Sequence, residues 1–291
     1  MSSEPTRQPV PVFWSGLGNY RFFRIPVLHR AGQQLLAFAE GRSTLRDSGS
    51  IDIVLRRSSD SGDKWGPIER VLGGLELGKR RGGTTVGNPT PLYLARSRTL
   101  LLLFCSNYGR VDERAIRRGK VPEAASRRVW ISRSANLGQN WSQPEELTSQ
   151  VKRPGWTWYA VGPGGAIRLR NGTLVVPATH ASEPTKHPPG GFDHSHTLSS
   201  HDFGASWHVG AAARVGTNEA TIAQRADGKV LLNARYLVKP GGRRSLQLSD
   251  DGGASWGESW DGVPEPRMPS WSPSAPAAHS AHFPVALHGA T

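Results

Sequence analysis

Ser58-Ser59-Asp60-Ser61-Gly62-Asp63-Lys64-Trp65 is the first of four stretches that share the spacing Ser-x-Asp-x-Gly-x-x-Trp. The others are Ser134/Asn136/Gly138/Trp141, Ser200/Asp202/Gly204/Trp207 and Ser249/Asp251/Gly253/Trp256, with Asn replacing Asp in the second. Successive tryptophans lie 76, 66 and 49 residues apart. The chemistry of each stretch is that of a tight turn. Asp or Asn accepts backbone N–H bonds inside the loop, and Ser does so more weakly. Gly supplies backbone angles that a Cβ resists. The Trp then packs the base of the hairpin. A strand-like run precedes each copy, at residues 51–55, 129–132, 196–198 and 245–248. Four copies in order indicate repeated supersecondary units, each with a hairpin turn.

The rest of the composition agrees with strands and turns. The chain has 291 residues, 34 Gly, 22 Pro and 10 Trp, enough for one large all-β domain or two smaller domains. Further β runs occupy residues 98–104 and 174–177, and no long amphipathic helix is visible. Residues 78–83 and 181–191 read as exposed loops. A single cysteine, Cys105, excludes a disulfide framework and a cysteine-rich metal site. No metal-ligand cluster or cofactor motif is apparent; His187, His194 and His196 are read as lying in or beside a loop. The formal charge is +13, and 29 of the 36 basic residues are Arg. They are spread along the chain without a compact basic run, so no nucleic-acid partner is expected. No apolar run approaches the roughly 20 residues that span a bilayer. Residues 1–11 form a polar arm without the apolar segment of a secretory signal, and a cytoplasmic location is expected.

The four hairpins resemble the Asp boxes of the exo-α-sialidase (neuraminidase) family. Phe23-Arg24-Ile25-Pro26 resembles that family's Arg-Ile-Pro signature. Residues 36–42, Gly87-Asn88-Pro89, residues 155–164, Asn218-Glu219-Ala220 and Leu232-Asn233-Ala234-Arg235 resemble further family segments. The resemblance covers about residues 12–266, which are expected to form one domain. It implies a six-bladed β-propeller whose C-terminal blades are incomplete here. It also implies hydrolysis of terminal α-linked sialic acid on glycans or glycolipids, without a cofactor. Family members also occur in lysosomes or at membranes.

The substrate's carboxylate explains the residues. Planar guanidinium forks hold carboxylates by paired charge-assisted bonds. Arg24 and Arg235 match two arginines of the family's carboxylate clamp. Asp47, nine residues before Arg56, matches the acid that protonates the leaving oxygen; Asp52 is the competing carboxylate. Arg42 is placed near Asp47 and the substrate, or simply in an ion pair. The family uses a Tyr nucleophile instead of a second carboxylate, and Glu219 matches the base that takes its proton. Trp158 and Tyr159 are candidates to line the glycan site.

The third Arg and the nucleophilic Tyr find no match after Arg235. Residues 268–291 contain no Asp, Glu, Lys or Arg, and 267–291 read as a low-complexity tail, expected to be disordered. A one-base shift after residue 266 would turn the Met268 codon into a Cys codon. Codons permitting Gln, Ala and Gly would follow, as in the family's next segment. The chain as written is therefore expected to hydrolyse sialosides poorly. The alternatives are a sialoglycan-binding propeller without hydrolysis and a propeller serving only as an interaction scaffold.

Overall fold

The computed structural model describes residues 9–74, 76–77, 83–182, 193–238 and 242–264. Strand follows strand, with two short α-helices, α1 (Glu113–Arg117) and α2 (Thr148–Val151). No described helix is long and apolar enough to cross a membrane.

The strands form four antiparallel groups, or blades. Blade 1 contains β1 (Phe22–Ala31), β2 (Gln34–Arg42), β3 (Ile51–Ser58) and β4 (Glu69–Leu72). Blade 2 contains β5 (Thr84–Leu94), β6 (Thr99–Tyr108), β7 (Arg128–Ser134) and β8 (Glu145–Glu146). A parallel contact, Ile51 to Thr85, joins these two blades. In blade 3 the first strand is split into β9 (Trp158–Val161) and β10 (Ile167–Arg168). Both pair with β11 (Leu174–Ala181), which is followed by β12 (Asp193–Ser200) and β13 (His208–Val209). Blade 4 is β14 (Thr217–Gln224), β15 (Val230–Tyr236), β16 (Arg243–Ser249) and β17 (Trp260–Pro264).

Every Ser-x-Asp-x-Gly-x-x-Trp stretch lies between the third and fourth strands of its blade, and its chemistry is the expected one. Ser58 Oγ accepts the Gly62 N–H at 2.8 Å and donates to Asp60 Oδ1 at 2.8 Å, and Asp60 Oδ1 accepts the Lys64 N–H at 2.9 Å. The Ser-to-Gly bond recurs at 2.8, 2.8 and 2.7 Å in the other three boxes. The four box glycines sit at φ between 84° and 98°, angles open to Gly at little cost.

Apolar clusters join each blade to the next. Alternate residues of one strand serve two of them. Leu100, Leu102 and Phe104 of β6 pack on Phe38 and Leu55 of blade 1, while Leu101 and Leu103 pack with Val176 and Leu198 of blade 3. This is why residues 100–105 are an unbroken apolar run, all buried. Each fully buried Leu contributes about 1.5–3 kcal/mol. A third cluster packs Val175 of blade 3 against Ile222, Val230 and Leu232 of blade 4.

The register sets two ends on each blade. In blade 1, Phe22 pairs Arg42 and Arg42 pairs Ile51 at one end, while Leu35 pairs Ser58 at the other, where the box turns. Arg24, Asp47, Glu219 and Arg235 all belong to the end away from the boxes.

Residues 1–8, the predicted loop at 78–82, the segment 183–192 that includes His187, and the expected tail lie outside the described residues. Of the other two histidines, His194 is the second residue of β12 and His196 lies further inside the same strand. His196 is fully buried.

Candidate active site

The same irregularity recurs at this end of three blades. The β1–β2 register slips between Arg24 and Val27, β5–β6 between Gly87 and Thr90, and β14–β15 between Thr217 and Ala220. Pro26 and Pro89 lack the N–H that a regular ladder uses, so Arg24-Ile25-Pro26 and Asn88-Pro89 break the pairing locally. Ile25 and Asn88 take positive φ, 53° and 57°. A bulge bends its strand and re-aims a side chain. The residues at these slips are Arg24, Asn88 and Glu219.

Two knots of charge result. In the first, Arg24 Nη1 donates to Asp47 Oδ1 at 2.6 Å and Arg42 Nη1 donates to the same oxygen at 2.9 Å. Arg42 also grips Glu40 through Nε at 2.8 Å and through Nη2. Arg42 is 3% exposed and Asp47 is 55% exposed. Burial opposes the Arg42 charge, but Glu40 and Asp47 outweigh it and hold the guanidinium above its ordinary value. In the second knot, Arg235 Nη1 lies 3.5 Å from Glu219 Oε2. Burial pushes the Glu219 carboxyl up, and Glu113 adds to this. Arg235 and Arg24 act in the opposite direction.

A strap from blade 2 closes the far side. Asp112 caps α1 by accepting the Arg114 N–H at 2.8 Å. Arg117, one turn on from Glu113, pairs with it at 2.9 Å and with Asp193 of blade 3 at 2.6 Å. Asn218, beside Glu219, donates to the same Asp193 carboxylate. Asp193 is 1% exposed. These residues escaped the sequence reading, although Asp112 followed by Glu113 and Arg117 at helical i,i+4 spacing is a legible signal.

Other sequence candidates take different places. Tyr159 does not line the site. It is 0% exposed, and its hydroxyl bonds His196 Nε2 at 2.9 Å, which in turn bonds His180 through the two Nδ1 atoms at 3.1 Å. The apolar packing of blade 3 against blade 2 encloses it. Trp158 is also buried, with the Arg117 guanidinium 4.0 Å from its ring centre. Asp52 accepts the Tyr20 hydroxyl at 2.8 Å. Burial raises its pKa, and it shares no contact with Arg24 or Arg42 among the described residues.

Four antiparallel blades, each turned by the same box between its third and fourth strands, define an Asp-box propeller. The model of the BNR repeat-like domain family matches residues 33–281. An exo-α-sialidase of Aspergillus fumigatus is 32% identical over 242 residues, covering 77% of this chain and 54% of that protein. Sialidase-2 of Rattus norvegicus is 35% identical over 245 residues, covering 79% and 62%. The solved structure of the Hadza microbial sialidase Hz136 superposes with a TM-score of 0.72 at 29% identity, over 82% of this chain and 46% of that one. The chain belongs to the sialidase family of BNR-repeat propellers. It spans about half the length of the relatives it matches.

Proposed function

We propose that the site end of the blades binds the terminal α-linked sialic acid of glycans or glycolipids, with Arg24 and Arg235 as forks for its carboxylate. The observation that carries this reading is that two guanidinium groups, Arg24 and Arg235, each face a carboxylate at the end of the blades away from the boxes. In hydrolysis the oxygen of the attacking group bonds the anomeric carbon as the bond from that carbon to the glycosidic oxygen breaks. Asp47 gives its proton to the leaving oxygen, and Glu219 takes a proton from the attacking group. A carboxyl raised above its ordinary value is the stronger base for that task.

A second reading, sialoglycan binding with little turnover, is favoured by the placement of four of the five tyrosines. Tyr159 bonds His196 in the core, Tyr20 bonds Asp52, Tyr93 packs on the core between blades 1 and 2, and Tyr236 lies under Arg214. In this reading water, not a phenol, attacks the anomeric carbon, which is slower.

The test is titration of methyl α-sialoside into the 291-residue chain, with release of a fluorogenic aglycone measured in parallel. Binding is expected to weaken ~10-fold or more in R24A and in R235A, the scale of losing one partner of a desolvated charge pair. Aglycone release is expected to be slow, and slower in D47N and E219Q. Equal binding by wild type, R24A and R235A would remove the site assignment. Fast turnover would remove the second reading.

A further inference from the structure

Asp47 lies in the connection between β2 and β3, outside regular structure and half open to solvent. Its anchors are the two guanidinium groups of Arg24 and Arg42. What fixes Arg42 therefore decides where Asp47 stands.

Glu40 is 3% exposed and sits two residues before Arg42 on β2, on the same face. Its Oε2 takes Nε and Nη2 of Arg42, which leaves Nη1 for Asp47 Oδ1 and for the Arg46 carbonyl at 2.9 Å. A planar fork tied at two nitrogens has its third direction fixed. The other oxygen of Glu40, Oε1, accepts the Asn88 N–H from blade 2 at 2.8 Å. That N–H points at Glu40 because of the bulge in β5. The bulge is held from outside the strand: Asn88 Oδ1 accepts Arg127 Nη2 at 2.5 Å. Arg127, itself buried, donates to Asn107 at 3.0 Å and to the Tyr159 carbonyl at 3.1 Å. The chain also leaves room for the carboxylate. A Cβ on Gly87 would stand 2.2 Å from Glu40 Oε1. Glu40 thus meets blade 2 at one oxygen and Arg42 at the other.

We infer that Glu40 is a positioning residue for the Asp47 half of the sialoside site proposed above, on which the inference rests. Its carboxylate, fixed from blade 2, orients Arg42, and Arg42 orients Asp47. Glu40 also balances the buried Arg42 charge, so that Asp47 faces a compensated guanidinium rather than a free cation.

The test uses the 291-residue chain carrying ¹⁵N-arginine and ¹³C-aspartate, with methyl α-sialoside as probe. R42K and D47N assign the Arg42 Nε–H and Asp47 carboxyl signals. In the wild type the Arg42 Nε–H is expected to exchange slowly with solvent. E40Q, which keeps the shape and removes the charge, is expected to lose that slow exchange, to move the Asp47 carboxyl signal and to weaken binding ~10-fold. E40D is expected to recover part of all three. Should E40Q fail to fold, N88G decides on the same signals: glycine accepts the positive φ but releases Arg127, and faster Arg42 exchange is expected. Unchanged Arg42 exchange and an unchanged Asp47 signal in the folded variant overturn the inference, even if its melting temperature falls. If the wild type binds no sialoside, the functional reading fails, while the Arg42 and Asp47 signals still judge Glu40.

Discussion

All eight residues of β11 are buried, whereas β15 buries Val230, Leu232 and Ala234 and leaves Leu231, Asn233 and Arg235 part-exposed between them. Both are second strands of their blades, and both are rich in aliphatic residues. The difference lies in their neighbours. β11 has blade 2 on one face, through Leu174, Val176 and Ala178, and blade 4 on the other, through Val175. Among the described residues, β15 is covered on one face alone. The two halves of the candidate site inherit this contrast. Asp47 is braced through Arg42, Glu40 and Asn88 by a second blade. Arg235 sits at the end of β15 on the one-sided blade and meets Glu219 at 3.5 Å. The side chains at a site are thus held only as firmly as the blades behind them.

The largest break in this contrast is expected from the strap that ties blade 2 to blades 3 and 4. Removing Arg117 leaves the buried Asp193 charge uncompensated, which costs about 3–5 kcal/mol. Urea unfolding of R117A measures it, and a loss below about 1 kcal/mol would mean that Asp193 finds another partner. Next comes core truncation on the doubly covered strand. L174A should cost about 2–5 kcal/mol, while L231A, on the open face of β15, should cost well under half of that. Equal costs would show that the open face of β15 is covered after all.

Acid should act on blade 3 before blade 4. Burial holds His180 at about 3, and His196 well below its ordinary 6.5. Both are neutral in the folded chain, while the unfolded chain binds their protons below pH 6.5. Stability is therefore fully present above about pH 6.5 and falls as pH drops from there towards 3. Each proton taken up only by the unfolded state steepens this by about 1.4 kcal/mol per pH unit. Unfolding measured across pH in H180Q should show a shallower slope than wild type; an identical slope would acquit this residue. The smallest effect concerns the looser half of the site. Arg235 lowers the Glu219 pKa against the burial that raises it, so R235Q should move the Glu219 carboxyl titration further upward. An unchanged titration, read by NMR, would mean that the pair is not in contact in solution.

The four boxes were legible because each is complete within eight residues. Serine, Asp or Asn, and Gly make their bonds to backbone a few positions away, so spacing alone carries the turn. Motifs mark the positions of Arg24, Asp47, Glu219 and Arg235 as candidates, and Arg-Ile-Pro and Gly-Asn-Pro also mark where strands bulge. The burial of Tyr159 was not legible. An aromatic beside a Gly-rich turn packs or binds according to what faces it, and here blade 2 does.

The braces were hidden for the same reason. Asn88 reaches Glu40 across 48 positions, Arg127 reaches Asn88 across 39, and Arg117 reaches Asp193 across 76. The sequence by itself determined the turns, the alternation of apolar residues and the identity of the charged groups, since these depend on chemistry within a few residues. Tertiary structure decided which arginine holds which carboxylate and which strands lie covered on two faces. Those choices follow from how one blade packs on the next, and no local pattern encodes that contact.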